Sequence, residues 1–367
     1  LAQAFHGGQV SAAAREFGLA HESILDFSSN LNVLAPMVSK VEWAQWATEI
    51  IHYPEPDAET VVRRLAETYR LASEFILPTA GSIEGLYLAA RLFAGCRVAI
   101  MDPSFSDYGR SFASLDCQVE HILLPRELWD SPATEWRHLL QAFDVVVLGN
   151  PNNPTGSMQP RKELQRLFEM EWSRPKHWIV DEAFMEFVAD HDGETLLSMV
   201  EQFPSLIVLR SLTKSWRIPG LRAGFLATAG PMERLRRMQP PWTVNSVVQA
   251  WAKQFLVKER HEQLLQTLRE LRMVKLQFEA QLQGVQGIYV HPGAANFLLV
   301  ELTAESLDAA TIYQKLGRRG LLIRVGDSFR GLEKGRFIRL SVRTSSENNR
   351  LVHELSTICR ELIQRAA

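Results

Sequence analysis

SLIVLRSLTKSWRIPGLRAGFLAT, residues 205–228, places two short runs that are apolar on both faces, SLIVLRS and AGFLAT, on either side of a polar turn. Within that turn Lys214 sits among serine and threonine, Arg222 follows eight positions on, and Pro219, Gly220 and Gly224 restrict the path between them. A lysine amine becomes a nucleophile toward an aldehyde when it is partly desolvated or placed beside other cations. An arginine close by suits a phosphate, because its planar fork offers two parallel charge-assisted hydrogen bonds. Alone, the stretch would equally suit a surface loop with two solvated cations.

The same pattern recurs upstream. Apolar runs at ILPTAG, RVAIMD, VEHILL, DVVVLGN and HWIVDEAF precede it, separated by turns or by helical periods such as 83–93 and 160–172. Strands of this kind belong in a sheet covered on two sides. Alternation with helices predicts an α/β fold with a mainly parallel, seven-stranded sheet. The polar residues fall at the ends of the runs, at Gly81-Ser82, 102–108, 150–156, 181–184 and 211–214. Ligands of open α/β sheets bind at those carboxyl edges.

With 367 residues the chain exceeds the size at which single cores stop growing, so two domains are expected. Residues 1–45 are read as an N-terminal arm and part of the small domain. Residues 46–250 form the large domain, and 251–367 an interdomain helix and a small α+β domain. The small domain draws on runs at GIYV, ANFLLVEL, GLLIRV and RFIRLSV, and a helical stretch to about 282 forms the spine. Forty basic against forty-two acidic residues leave a net charge of −2, so neither nucleic acid nor an anionic membrane is an expected partner. Cys96, Cys117 and Cys359 are far apart in sequence and form no ligand spacing, which predicts no metal site, no disulfide framework and a reducing cytoplasm. No apolar run reaches the ~18 residues of a spanning helix, and no signal segment is expected.

The remaining motifs can be read as cofactor chemistry. TAGSIEG (79–85) sets glycine and serine between a strand and a helix, where free N–H groups would hold a phosphate; an ordinary capped turn has the same look. NPNNPTG (150–156) is a rigid turn that would aim an asparagine. Asp181 ends an apolar strand, and a buried carboxylate needs a partner such as a protonated pyridine nitrogen. Tyr108 would stack on a ring or merely pack. An aldehyde, a phosphate and a pyridine together describe pyridoxal 5'-phosphate, in which a cationic ring acts as an electron sink.

In this order the motifs resemble the fold type I pyridoxal-phosphate enzymes, the aspartate aminotransferase superfamily. The resemblance implies a large cofactor domain and a small domain built from both termini. It makes Lys214 the lysine that carries the cofactor and Asp181 the partner of the ring nitrogen. Arg222, Ser211 and Ser82 would bind the phosphate, with Gly81, Ile83 and Thr213 completing that end of the site. Asn153 would meet the phenolic oxygen, Tyr108 would stack on the ring, and Phe184 would stand where a tyrosine is usual. Tyr53 corresponds to a tyrosine that crosses to the neighbouring site of a homodimer, and Arg339 to the anchor of a substrate carboxylate.

Within the superfamily, HGG at the N-terminus, DFSSNLN, DEAF, LRSLTK, PPWTVN and LLIRVGDSF followed by RLSVRT are similar to the threonine-phosphate decarboxylases. Histidinol-phosphate aminotransferases come next. Gln9 after HGG and the TAGSIEG loop depart from the decarboxylase pattern. The expected reaction is decarboxylation of a phosphorylated amino acid, with His6, Asn32, Arg324 and Arg339 gripping its phosphate and carboxylate. Transamination of the histidinol-phosphate type, or a diverged lyase or cyclase, is the alternative within the fold; a non-catalytic binding protein would have no use for Lys214, Asp181 and Arg222 together.

Overall fold

A computed structural model describes residues 7–172 and 176–366. Its strands, in chain order, are β1 (Leu25–Asp26), β2 (Ile76–Thr79), β3 (Arg97–Asp102), β4 (Gln118–Leu123), β5 (Val145–Gly149), β6 (His177–Asp181) and β7 (Leu206–Ser211). These are followed by β8 (Gly224–Ala227), β9 (Ile288–Val290), β10 (Phe297–Leu302), β11 (Leu321–Leu322), β12 (Arg324–Val325) and β13 (Phe337–Ser341).

Seven of them form the large sheet in the order β2-β8-β7-β6-β5-β3-β4. β8 is antiparallel to both its neighbours and the other pairings are parallel. These are the seven runs expected from sequence. Their period-2 faces explain why both sides are apolar. Val98 and Ile100, Val145 and Val147, and Ile207 and Leu209 pack into one layer with Leu86, Ala89 and Ala90 of helix Ser82–Arg91. Ala99, Val146, Leu148, Leu206 and Val208 pack into the other, against helices Glu59–Tyr69, Arg161–Glu169 and Ser246–Phe255. At about 1.5–3 kcal/mol per buried large aliphatic side chain, two such layers make the sheet a rigid platform.

A four-stranded antiparallel sheet, β12-β13-β10-β9, forms the smaller unit, against helices Lys258–Gln283 and Ser345–Ala366. Two details differ from the sequence reading. The helical stretch after Asn245 breaks at Leu256 and Val257, giving two helices, Ser246–Phe255 and Lys258–Gln283. GLLIRV also divides, because its first half (β11) pairs in parallel with β1 while its second half (β12) pairs with β13. The N-terminal arm is thereby stitched to the small unit: Ser341 N donates to the Phe27 carbonyl at 2.9 Å, and Arg343 Nη1 to that of Asp26 at 3.0 Å. A few residues on, Asn32 N donates to the Lys214 carbonyl at 2.9 Å, so the arm passes directly over the edge of the large sheet. Among the described residues no helix is long and apolar enough to cross a membrane.

Candidate active site

Topology sends six strands of the large sheet to one edge. β2 turns through Gly81 into helix Ser82–Arg91, β3 leads to Asp107 and Tyr108, β5 to Asn153, and β6 ends on Asp181. β7 runs into a single helical turn, Leu212–Ser215, that carries Lys214. Because β8 runs the other way, Arg222 at its leading end reaches the same edge. The arm and β12–β13 close the other side of a cavity of about 330 Å³.

Lys214 sits at its centre. Burial, followed by the Arg339 and Arg222 cations, pulls its ammonium down to about 8. Roughly one lysine in ten is then the free amine at neutral pH, against fewer than one in a thousand for an ordinary lysine. Asp181 faces the opposite cost. Burial pushes its carboxyl up to about 6, although the Ala183 N–H at 2.9 Å and the Tyr108 hydroxyl at 3.0 Å both donate to it. A cation placed against it would relieve that cost.

One end of the cavity is built for an anion. Gly81 has φ +81°, and a Cβ there would stand 2.8 Å from Arg222 Nη2. A Cβ on Gly224 would stand 2.6 Å from Ser82 N, so only glycine lets β8 start this close to the helix N-terminus. Arg222 itself holds φ 60°, a left-handed conformation that costs a non-glycine residue about 1–2 kcal/mol and collects at ligand sites. The Ser211 and Thr213 hydroxyls lie 2.7 Å apart beside it. Free N–H groups, two hydroxyls and a guanidinium fit a phosphate. The tuned lysine and the cation-seeking carboxylate fit the aldehyde and the pyridine nitrogen of the same molecule. Ile83, Tyr108, Asn153 and Phe184 line the cavity too.

The opposite wall carries two more arginines. Arg324 and Arg339 are register partners across β12 and β13, 8% and 5% exposed. Arg339 Nη1 donates to Asn153 Oδ1 and Nη2 to the Ser28 carbonyl at 2.7 Å, while its Nε has no partner among the described residues. Among the described residues no carboxylate pairs with it. Its guanidinium lies 5.2 Å from the centre of the Phe297 ring and 5.8 Å from that of Phe329. Phe329 also supports Arg324, at 5.3 Å. Burial pulls Arg339 down to about 9 and Arg324 to about 10, which still leaves both cationic at neutral pH.

Of the sequence-predicted residues, Gly81 lies in the turn beside Arg222, and the other cofactor residues just described line the cavity. Asn32 does not line it and is corrected. It is fully buried, its Nδ2 donating to Thr267 Oγ1 at 3.0 Å and its Oδ1 accepting from Leu34 N at 3.1 Å. Asn30, two residues earlier, lines the cavity instead, with a buried Oδ1 that has no partner among the described residues. The DFSSNLN cluster had marked the right segment, but the choice between its asparagines depends on how β1 docks. His6 lies outside the described residues. Tyr53 is 84% exposed, its ring 5.1 Å from that of Trp242, away from the cavity of its own chain.

Sequence reasoning also missed what stands behind the edge. Arg210 is held by Glu182 at 3.0 Å and Glu186 at 3.4 Å; Tyr69 donates to Glu186 and lays its ring under the guanidinium at 5.1 Å. Glu182 follows Asp181 and Arg210 precedes Ser211, so this buried network ties together the ends of β6 and β7. Its only signals in the sequence were the Glu of DEAF and the Arg of LRS.

Comparison with known proteins agrees with this geometry. The model of the family described as aminotransferase class I and II matches residues 22–355. The chain is 31% identical to the threonine-phosphate decarboxylase of Salmonella typhimurium over 96% of each chain. It is 30% identical to the histidinol-phosphate aminotransferase of Thermoanaerobacter pseudethanolicus, over 85% of this chain and 86% of that one. Among solved structures, L-threonine-O-3-phosphate decarboxylase from Porphyromonas gingivalis superposes with a TM-score of 0.78 at 25% identity, covering 90% of this chain and 98% of that one. The chain belongs to the aminotransferase class I and II family, and it is an enzyme whose cofactor is pyridoxal 5'-phosphate.

Proposed function

We propose that this family member is a carboxy-lyase acting on a phosphorylated amino acid, with O-phospho-L-threonine as substrate and aminopropanol phosphate for cobalamin biosynthesis as product. The observation that carries this reading is Arg339, a buried cation with no carboxylate partner among the described residues, standing with Arg324 and Asn30 across the cavity from Lys214. Two arginines on one wall suit a substrate with two anionic groups, a carboxylate and a phosphate. The likeness to a threonine-phosphate decarboxylase over nearly the whole chain supports the same assignment.

Each residue then has a task. Gly81, Ser82, Ile83, Ser211, Thr213 and Arg222 would hold the cofactor phosphate, Asp181 would partner its ring nitrogen, Asn153 its phenolic oxygen, and Tyr108 and Phe184 its ring. When bound, the cofactor supplies a sink for the electron pair left at the substrate α-carbon. Arg339 and Arg324 would bind the two anionic groups of the substrate and so orient it for loss of its carboxylate rather than of its α-hydrogen. Lys214, tuned toward neutrality, carries the cofactor and returns a proton from Nζ to the α-carbon after CO2 leaves. Phe184 offers no hydroxyl to the phenolic oxygen.

The protein acts as a homodimer in the cytoplasm on this reading, with Tyr53 reaching the neighbouring site. Ile50, Ile51, Tyr53 and Trp242, all exposed apolar groups, support that face as the subunit contact. The division into 1–45, 46–250 and 251–367 is proposed on the same footing, supported by the pairing of β1 with β11.

Likeness to a histidinol-phosphate aminotransferase favours a second reading, transamination. Incubation with O-phospho-L-threonine, following CO2 release beside 2-oxo-acid formation, separates the two. Release of CO2 with stoichiometric amine is expected, and its loss in Lys214→Ala. Transamination without CO2, or turnover of histidinol phosphate with 2-oxoglutarate alone, would overturn the decarboxylase assignment.

A further inference from the structure

At the end of the large sheet remote from the active site, the fold brings together two cysteines that lie far apart in sequence. β3 and β4 are parallel neighbours, with Arg97 opposite Gln118 and Val98 opposite Val119. Cys96 and Cys117 stand immediately before the first paired residues, in the turns that lead into β3 and β4. These turns are tied to each other, because Gln118 N donates to the Cys96 carbonyl at 3.0 Å and Gly95 N to that of Leu115 at 2.9 Å, while Cys96 N turns back to the Phe93 carbonyl at 3.1 Å.

Their side chains share a face. Residues two apart in a strand point the same way, and Val98, Ile100 and Val119 pack into the apolar layer beneath helix Ser82–Arg91. Cys96 and Cys117 pack against that same layer. Neighbouring strands lie about 4.7–4.9 Å apart, within the Cα separation of roughly 4.4–6.8 Å that a disulfide requires. Both thiols are half-buried and reduced. Burial pushes the Cys96 thiol up, and the Asp144 carboxylate and Cys117 push in the same direction. Cys117 Sγ donates to the Phe93 carbonyl at 3.3 Å and lies 3.5 Å from that of Leu115.

The geometry points to a modification site: Cys96 and Cys117 form a dithiol that a peroxide closes to an intramolecular disulfide linking β4 to β3. In the first step a thiolate sulfur attacks one peroxide oxygen, the O–O bond breaks, and the departing hydroxide takes up a proton, leaving water and a sulfenic acid. The second sulfur then attacks the sulfenic sulfur, the S–S bond forms, the S–O bond breaks, and a second water leaves. Two thiols lose two electrons and two protons, and one peroxide is reduced to two waters. β4 is an edge strand, paired among the described residues with β3 alone, so the bridge restrains a part of the sheet held by hydrogen bonds on one side. Burial makes the Cys96 thiolate the scarcer form, so oxidation through that sulfur quickens as the pH rises. Cys359, fully buried on the other unit, takes no part.

The test uses the pyridoxal-phosphate-loaded full chain, treated with hydrogen peroxide, alkylated and digested with trypsin. Cross-linked peptides 92–97 and 111–126, with a mass lower by two hydrogens and restored by dithiothreitol, are the expected result. Amides of 118–123 should exchange more slowly in the oxidised form. Cys96→Ser and Cys117→Ser should each abolish the link and leave a sulfenic acid that dimedone traps at the remaining cysteine. Independent oxidation of the two wild-type thiols to sulfinic acids would overturn the proposal, as would their survival under conditions that oxidise the denatured chain.

Discussion

Arg210 and Arg339 are buried to nearly the same degree, 3% and 5% exposed, on opposite sides of the cofactor edge, yet their surroundings differ. Behind the edge, Arg210 meets two carboxylates and a phenol, and its guanidinium is raised above the ordinary range by Glu186, Tyr69 and Glu182 against the cost of burial. In front, Arg339 meets an amide oxygen, a backbone carbonyl and two aromatic rings, and burial pulls it down to about 9. A buried charge whose partners are all present serves the fold, whereas one that lacks them and faces a cavity is kept for a ligand. The two regions should therefore respond in opposite ways to the loss of their arginine.

The largest effect is expected behind the edge. Arg210→Met leaves Glu182 and Glu186 buried without their cation and should lower unfolding stability by about 3–5 kcal/mol in a denaturant titration; a second change, Glu182→Gln, should recover part of it. Arg339→Met should leave stability unchanged or slightly raised while kcat/KM for O-phospho-L-threonine falls by about 10²–10³, the loss of charge-assisted hydrogen bonds to one substrate anion. Equal loss of stability in the two variants would break the comparison. A smaller contrast separates the two asparagines of the arm. Asn30→Ala should raise KM by roughly tenfold with an unchanged melting temperature, whereas Asn32→Ala should lower the melting temperature at unchanged KM, because a buried hydrogen bond is worth about 1 kcal/mol.

A further contrast lies in the pH dependence of the cofactor-free protein. Asp181 titrates at about 6 in the fold against roughly 3.9 unfolded. Across that interval the native state binds the extra proton, so stability falls as pH rises toward 6. Lys214 titrates at about 8 in the fold against roughly 10.4 unfolded. There the unfolded state binds the extra proton, so stability recovers as pH rises above 8. These two groups place a minimum between about pH 6 and 8, a dip of a few degrees in melting temperature, which added pyridoxal 5'-phosphate should fill. A cofactor-free protein most stable at pH 7 would argue that Asp181 and Lys214 are not strained by their own charges.

The large sheet and the cofactor edge were legible because their signals are local. A strand apolar on both faces, a glycine before a helix start and a lysine in a polar turn each occupy a few consecutive residues, and strand ends of one sheet collect at one edge. The network around Arg210 was not legible, since nothing in LRS or DEAF says which charged residue turns inward. By itself, then, the sequence determined the seven runs, the α/β class, and Lys214, Asp181, Ser82, Ser211 and Arg222 as candidate cofactor ligands. Tertiary structure alone decided that Asn30 rather than Asn32 faces the cavity, that GLLIRV is shared between two sheets, and that Cys96 stands beside Cys117. The last two depend on how strands from segments distant in the chain come into register, and the first on how the loop after β1 packs, where no period says which asparagine turns toward the cavity.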